Sequence, residues 1–558
     1  MQSLKLILKN KIVIIVFFII TVKRHYFVRK DTMQVLIADE LPDICIEILE
    51  KAGIRALNKP GIKADELKTI MTNCDGIILR SGTKITASLL EKVEKLKAIC
   101  RAGVGVDNVD VPAATKKGIV VMNTPEGNIT STAEHTVALL FSLSRFVPQA
   151  CASVKAGKWE RKKFTGIQIA GKTLGIIGLG RVGRQVAKRA VAVEMKVIGY
   201  DPFISPEITS QYSIHIAKNL RELLAQADYI TIHVPFNSET KNLITQKEFS
   251  IMKPGVRIIN CARGGILSEE DLYNAIKSGH VAGAALDVFD VEPPAGNKLL
   301  ELDQVIATPH LGASTEEAQF AVAVEAAEQM ADALTGKGFR NAVNLPPYNI
   351  EEFNTLKPYI ALAEKMGSLL IQLAAGGIQS VDLVYTGEIT KKNICLVTDS
   401  FMVGLLKPAL EDGVNLVSAP HLIAERGIQV NITTSSGVSD FTSLISAKIK
   451  SANGETAISG TVFGKNEPRI VDINGYGVEA VLDEHMFILF GKDKPGLIGN
   501  IGRVLGDKKI NIAHMTFGRR ETGGNAITII NVDAAVPQDC IREIEQLDHI
   551  EEAYLIHL

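Results

Sequence analysis

The sequence predicts an α/β chain with two doubly wound domains, then an α+β segment, then a small ferredoxin-like βαββαβ unit. Three observations carry this. Short apolar runs alternate with helically spaced stretches from Met33 to about Pro125 and again from about Gly171 to Pro309. One of those runs feeds a Gly-x-Gly-x-x-Gly turn. The last 75 residues then reset the pattern to strand, helix, strand, strand, helix, strand.

The first 32 residues stand apart from this plan. Lys5, Lys9 and Lys11 precede the apolar run Ile12–Val22, which at eleven residues is shorter than a membrane span of about 20. No small-residue cleavage site follows, and Lys23, Arg24 and His25 come instead. A misassigned start, an uncleaved anchor and an export signal stay open. The first is preferred, because Met33 opens a clean strand, Gln34–Ala38.

In the first domain (33–128, completed by 314–345) the expected strands are Val35–Ala38, Gly76–Leu79, Ala98–Ala102 and Val120–Asn123. Ile44–Ala52, Ala64–Asn73 and Ala87–Lys95 have helical spacing between them, which suits a parallel sheet covered by helices. A long helix is expected over Thr130–Ala156 at the head of the second domain, 129–313. Its strands are Thr173–Ile177, Lys196–Tyr200, Tyr229–His233, Arg257–Asn260, Gly283–Leu286 and Val305–Ala307. The helix Glu316–Leu334 has no strand of its own and is expected to pack back on the first domain. Residues 346–483 are richer in Gly, Ser and Thr, and 484–558 form the terminal βαββαβ unit.

Composition narrows the function. A chain of 558 residues with 46% hydrophobic and 22% charged residues holds several cores, and a net charge of −1 gives no global field toward nucleic acid or an anionic membrane. The seven cysteines are scattered without CxxC spacing, so neither a zinc site nor a disulfide framework is indicated, and a cytoplasmic setting fits.

The glycine turn names a cofactor. The strand Thr173–Ile177 runs into Gly178-Leu-Gly180-Arg181-Val182-Gly183, and a helix continues through Gln185–Val193, the context of a Rossmann dinucleotide site. Gly178 allows the tight turn, Gly180 the approach of a pyrophosphate, and Gly183 close packing of helix on sheet. The helix start presents free N–H groups and a positive dipole end. Asp201 ends the next strand, 23 residues after Gly178, placed to accept from ribose hydroxyls and to repel a 2′-phosphate. NAD is therefore preferred over NADP.

Hydride transfer at a hydroxy acid also needs a carboxylate anchor, a base, and a group that tunes the base. Arg263, in Cys-Ala-Arg-Gly-Gly, offers a planar fork for a carboxylate. His310, in Thr-Pro-His-Leu-Gly, follows the strand Val305–Ala307, and Glu292, in Val-Glu-Pro-Pro, is positioned to stabilise its imidazolium. Singly, Arg263 could be a solvated loop residue, His310 a satisfied partner to backbone and Glu292 a turn carboxylate.

From Met33 to Leu558 the chain resembles the D-2-hydroxyacid dehydrogenase family, most closely its long-form phosphoglycerate dehydrogenases. The motifs are Arg80-Ser-Gly-Thr-Lys-Ile-Thr86, Arg101-Ala-Gly-Val-Gly-Val-Asp-Asn-Val-Asp110, Thr124-Pro-Glu-Gly-Asn128 and Gly178–Gly183. Asn260-Cys-Ala-Arg-Gly-Gly265, Ala285-Leu-Asp-Val-Phe289 and Pro309-His-Leu-Gly-Ala-Ser314 complete them. The resemblance implies His310 as acid/base, Glu292 as its partner and Arg263 as the carboxylate anchor. It implies that Asp287 meets the nicotinamide carboxamide, with cofactor contacts from Val104, Val234, Cys261, Ala262 and Gly312. It directs Arg80, Ser81, Arg101 and Asn128 toward a substrate, 3-phosphoglycerate. Arg161 and Lys163, in Trp159-Glu-Arg-Lys-Lys163, would add positive charge near the phosphate from a neighbouring subunit of a homo-oligomer, a dimer or a tetramer; a plain solvated charge run is the alternative.

By the same resemblance, 346–483 is an intervening domain linked to regulation and assembly, and 484–558 an ACT domain. Asp493 and Asn511 would hold serine across a dimer of such domains, although Gly491 stands where some members have histidine. Two other functions stay open from sequence: a reductase of glyoxylate, hydroxypyruvate or another 2-keto acid, and a nonenzymatic NAD-sensing binding protein. The complete set Arg263, Glu292 and His310 speaks against the latter.

Overall fold

The computed structural model describes residues 32–558 apart from 205–213, 349, 375, 411–413, 438–439 and 453. Residues 1–31, on which the three N-terminal readings rest, lie outside the described residues. The first sheet holds β1 (Gln34–Ile37), β2 (Arg55–Asn58), β3 (Gly76–Leu79), β4 (Ala98–Arg101) and β5 (Val120–Asn123) in the order β2-β1-β3-β4-β5, all parallel. All four residues of central β3 are buried, as a strand covered on both faces requires. β2 was not expected. As an edge strand it is half-exposed, so Arg-Ala-Leu-Asn shows no apolar run. The helix Glu316–Leu334 does return to this sheet, seating Val322, Ala326 and Met330 against Val35 and Cys45.

The second sheet holds β6 (Thr173–Ile177), β7 (Lys196–Tyr200), β8 (His215–Ile216), β9 (Tyr229–Ile232), β10 (Val256–Asn260), β11 (Val281–Leu286) and β12 (Val305–Ala307). Its order, β12-β11-β10-β9-β6-β7-β8, reverses direction at β6 and β9, the switch point where ligands of open α/β sheets bind. The two-residue β8 is a further edge strand too short to read from sequence. The expected helix Thr130–Ala156 is in fact two helices, Ile129–Arg145 and Val147–Lys155, bent by 64°. Phe146 breaks them at φ 53°, and Pro148 in the next turn has no N–H with which to continue the first. Among the described residues no single helix is long and apolar enough to cross a membrane.

The third unit is a six-stranded sheet of β13 (Ile378–Gly387), β14 (Gln429–Ser435), β15 (Ser443–Ser451), β16 (Gly454–Phe463), β17 (Glu467–Ile473) and β18 (Tyr476–Val481). Its helices Ile350–Leu373 and Cys395–Leu410 approach backbone to backbone. A β-carbon on Gly404 would lie 1.8 Å from the Glu364 carbonyl oxygen, and one on Gly367 2.2 Å from that of Phe401.

The last unit pairs β19 (His485–Lys492), β20 (Ile512–Arg519), β21 (Asn525–Val532) and β22 (Ile550–His557) as β20-β21-β19-β22, all antiparallel. Residues of β19 alternate between two cores. Phe487 and Leu489 face the helices Leu497–Asp507 and Gln538–Glu545, whereas Met486 and Ile488 join the core of the third unit. Gln372 closes this junction with two bonds to the His557 backbone, 2.8 and 3.0 Å. The third and fourth units therefore share one apolar core.

Asp399, inside the buried helix Cys395–Leu410, has its carboxyl pushed up to about 7 by burial. A folded-state value above the unfolded one of about 3.9 means that the folded chain binds the proton more tightly. Stability then falls as pH rises from about 4 to about 7 and is flat beyond, by at most about 4 kcal/mol. Hydrogen exchange of that helix, corrected for intrinsic rates, should show protection declining between about pH 5 and 7, and Asp399→Asn should flatten the decline.

Candidate active site

Arg263, Glu292 and His310 sit in the loops after β10, β11 and β12, three adjacent strands that end on the same edge of the sheet. The loops are packed closely enough to demand glycine. A β-carbon on Gly264 would fall 1.9 Å from the Phe289 carbonyl oxygen. Asn260 braces the first loop, donating to the Arg263 carbonyl at 2.9 Å and accepting from the Ala262 N–H at 3.0 Å.

His310 Nδ1 lies 2.9 Å from Glu292 Oε2. With the carboxylate ionised, that bond puts the proton on Nδ1 and leaves Nε2 as a free lone pair. The histidine itself has φ 56°, a strained setting for a residue with a β-carbon. Asp287 holds the turn in that shape. Its carboxylate accepts from Thr308 Oγ1 at 2.6 Å, the Leu311 N–H at 2.7 Å, the Gly312 N–H at 2.8 Å and His135 Nε2 at 3.2 Å. Burial would raise this carboxyl, but the bonds from His135, Thr308 and Leu311 prevail and hold it below the ordinary aspartate range. Asp287 is thus buried against the turn that carries His310. His135 went unrecognised in the sequence, where a lone histidine on a helix carries no signal.

The opposing wall belongs to the first sheet. Asp39, at the end of β1, accepts from the Arg80 N–H at 2.5 Å and from Thr83 Oγ1 at 3.0 Å, which shapes the loop carrying Arg80 and exposed Ser81. Arg101 ends β4, largely buried, and its Nε has no hydrogen-bond partner among the described residues. Burial, and then the nearby Arg263 guanidinium, push Arg101 down to about 10. Arg263 crosses the cleft to Asp107, Nε to Oδ2 at 3.1 Å. Asn128 begins the helix Ile129–Arg145, and its Oδ1 is likewise buried without a partner. Asp39 and Asp107 were not singled out from sequence; only the structure shows that Asp39 braces the Arg80 loop and that Asp107 pairs with Arg263.

The cofactor loop fits a dinucleotide. A β-carbon on Gly178 (φ 94°) would lie 2.6 Å from the His233 carbonyl oxygen, and one on Gly183 2.0 Å from that of Gly178. A β-carbon on Gly180 would meet nothing within 4 Å, which is the open cradle a pyrophosphate needs. Arg181 and Val182 open the helix Arg181–Ala192, whose start has no side-chain cap. Arg181 also pairs with Glu126 of the first domain at 3.4 Å. Asp201 accepts from the Leu179 N–H at 2.9 Å and the Phe203 N–H at 2.9 Å, leaving further lone pairs for hydroxyls. Val234 packs beside Gly178, and Val104 accepts a bond from Asn123 at the cleft. Cys261 is buried with its thiol raised to about 12, so it serves by shape rather than reactivity.

Two expected groups are not brought to the cleft within one chain. Arg161 and Lys163 lie in the exposed segment after Val147–Lys155, where Lys163 sits over the Phe164 ring. Asp493 and Asn511 sit at opposite ends of the last sheet, by the registers of β19 and β20 on β21. Asp493 is already paired with Arg519 at 2.6 Å, and Asn511 donates to Asp533 at 2.6 Å. A β-carbon on Gly491 would lie 2.1 Å from the His549 carbonyl oxygen, so histidine does not fit there in this backbone.

The geometry agrees with three family models: "D-isomer specific 2-hydroxyacid dehydrogenase, NAD binding domain" over 137–312, "D-3-phosphoglycerate dehydrogenase intervening domain" over 355–474, and "ACT domain" over 485–549. The chain is 42% identical to D-3-phosphoglycerate dehydrogenase of Methanocaldococcus jannaschii and 44% identical to that of Archaeoglobus fulgidus, each match covering 94% of this chain and 100% of the relative. The Bacillus subtilis enzyme of that name is 41% identical, over 94% of this chain and 99% of its own. Among solved structures, the TT0316 protein of Thermus thermophilus matches 56% of this chain and all of its own, at TM-score 0.52 and 33% identity. A glyoxylate reductase from Paecilomyes thermophila matches at TM-score 0.52 and 28% identity, again over 56% of this chain and 98% of its own. Those two cover the share of the two doubly wound domains, whereas the curated relatives extend through the intervening and ACT units. The chain belongs to the D-3-phosphoglycerate dehydrogenase family.

Proposed function

We propose that this chain oxidises 3-phospho-D-glycerate to 3-phosphohydroxypyruvate with NAD, the first step of L-serine synthesis. The observation that carries the substrate is the positive cleft, where Arg80, Arg101 and Arg263 are electrostatic neighbours and Arg101 is buried with its Nε unpaired. A phosphate monoester beside a carboxylate brings nearly three negative charges, which such a cluster is built to receive. Arg263 takes the carboxylate in exchange for Asp107, and Arg80 and Arg101 take up the remaining charge. His310 Nε2 removes the C2 hydroxyl proton, and Glu292 stabilises the imidazolium that forms. NAD, held over Gly180 and Asp201, supplies the hydride acceptor.

A second copy of the chain is part of this proposal. Phe141, Val147, Val154 and Trp159 leave a large apolar face exposed along the two bent helices and the segment after them. A homo-oligomer covering that face would carry Arg161 and Lys163 toward a neighbouring cleft. All seven cysteines are free, in keeping with a cytoplasmic setting.

Purified protein should reduce NAD with 3-phosphoglycerate and much more slowly with D-glycerate or 2-hydroxyglutarate. The opposite ranking would return the 2-keto acid reductase reading. His310→Asn should cut kcat by roughly 10³-fold while NAD binding by fluorescence stays intact. Arg101→Met should raise KM for 3-phosphoglycerate about 10- to 100-fold, by loss of charge-assisted bonds, and leave KM for NAD unchanged. Serine added to the same assay should lower the rate, and Asp493→Ala should abolish that inhibition; a serine-insensitive wild-type enzyme would remove the effector role of the last unit.

A further inference from the structure

Away from the cleft, a cavity of about 450 Å³ opens where the first domain meets the third unit. Its walls are mostly apolar: Val343, Leu345 and Pro346 from the segment joining the two, and Leu416, Val417 and Pro420 from the third unit. One charged group faces it without a partner. Asp399 is 7% exposed, and its carboxylate has no hydrogen bond or ion pair among the described residues. The basic side chain in the lining, His421, is bonded to Glu425 at 3.0 Å, and Glu425 also takes Lys116 at 3.1 Å. Polar Thr115 and Asn344 are committed as well: Asn344 donates to Thr115 Oγ1 and to the Ile119 carbonyl, and accepts from the Val121 N–H.

An unpaired carboxylate at this depth is costly, and burial accordingly holds it toward its neutral form. The surroundings select what could answer it. An anion would be repelled. A metal ion would find one carboxylate where it wants six or more oxygens. A neutral apolar molecule would strip the remaining water from Asp399 and supply no donor in return. A primary ammonium on an apolar skeleton satisfies both the carboxylate and the walls, and the volume suits a small organic molecule.

We propose that this cavity is a binding site for a small organic cation, an ammonium group on an apolar body, anchored by Asp399 between the substrate-binding and intervening domains. The site is separate from both the catalytic cleft and Asp493. An occupant touches Thr115 and Asn344, and through them the start of β5, whose far end supplies Asn123 to the cleft.

The test is calorimetric titration of the full-length protein with benzylammonium chloride, and with benzyl alcohol as its uncharged counterpart. One saturable site per chain is expected for the amine, with the alcohol at least tenfold weaker. Asp399→Asn should weaken the amine at least tenfold while basal turnover is retained. Leu416→Trp, which fills the cavity and leaves the carboxylate in place, should remove binding by itself. The proposal is overturned if the wild type does not bind the amine at millimolar concentration, if Asp399→Asn binds it equally, or if the alcohol matches it. Should Asp399→Asn fail to fold, Leu416→Trp decides: undiminished amine binding there rules the cavity out.

Discussion

The catalytic half of the cleft depends on a single buried carboxylate that must stay ionised. Asp287 is 1% exposed, a position where charge is normally expelled, yet donors from Thr308, His135 and two successive backbone N–H groups hold it anionic. Those donors come from the turn after β12 and from the helix Ile129–Arg145, so the carboxylate, which itself follows β11, joins three parts of the fold at one point. The reward is the turn itself. The Leu311 and Gly312 amides are pinned on one side, the His310 amide bonds to the Asp287 carbonyl at 3.0 Å on the other, and the histidine between them is left at positive φ. Strain at a base is tolerated when the neighbours over-determine its position, and here they do.

The substrate half depends on the opposite imbalance. Arg263 and Arg80 act on Arg101 as like charges, and Asp107 and Asp39 act on it as opposite ones. Asp39 spends its bonds on the backbone and hydroxyl of the Arg80 loop, which leaves Asp107 as the side-chain counterion for Arg263. The Asp107 pair is more than half exposed on the acidic side, so its strength is modest and screened. On the proposed function, a dianionic or trianionic ligand would displace it at little cost and gain the largely buried Arg101 as well. Repulsion among the guanidinium groups before binding is thus relieved by binding, and affinity is concentrated on highly charged substrates.

Much of this was legible in the sequence because the carriers are local. Gly178, Gly180 and Gly183 act through backbone clearance over six residues, and the strand that leads to Arg263 is a mostly buried apolar run. What the sequence concealed is what depends on the sheet edge or on distant pairing. β2 and β8 sit at edges, where no continuous apolar run is required. The bend at Phe146 was missed because the amphipathic spacing continues across it and only Pro148 marks the break. His135, Asp39 and Asp107 reach partners up to 173 residues away, and nothing in their immediate neighbours announces it.

The same distinction governs the last unit. Asp493 and Asn511 are each recognisable by local motif, but β21 holds them at opposite ends of one sheet, so one chain does not bring them to a common ligand. Nor is Asp493 waiting empty. Arg519 and the Gly523 N–H already occupy its carboxylate and hold it below the usual aspartate range. An incoming ammonium group must therefore displace a guanidinium, and its net gain is the difference between two charged contacts rather than one whole contact.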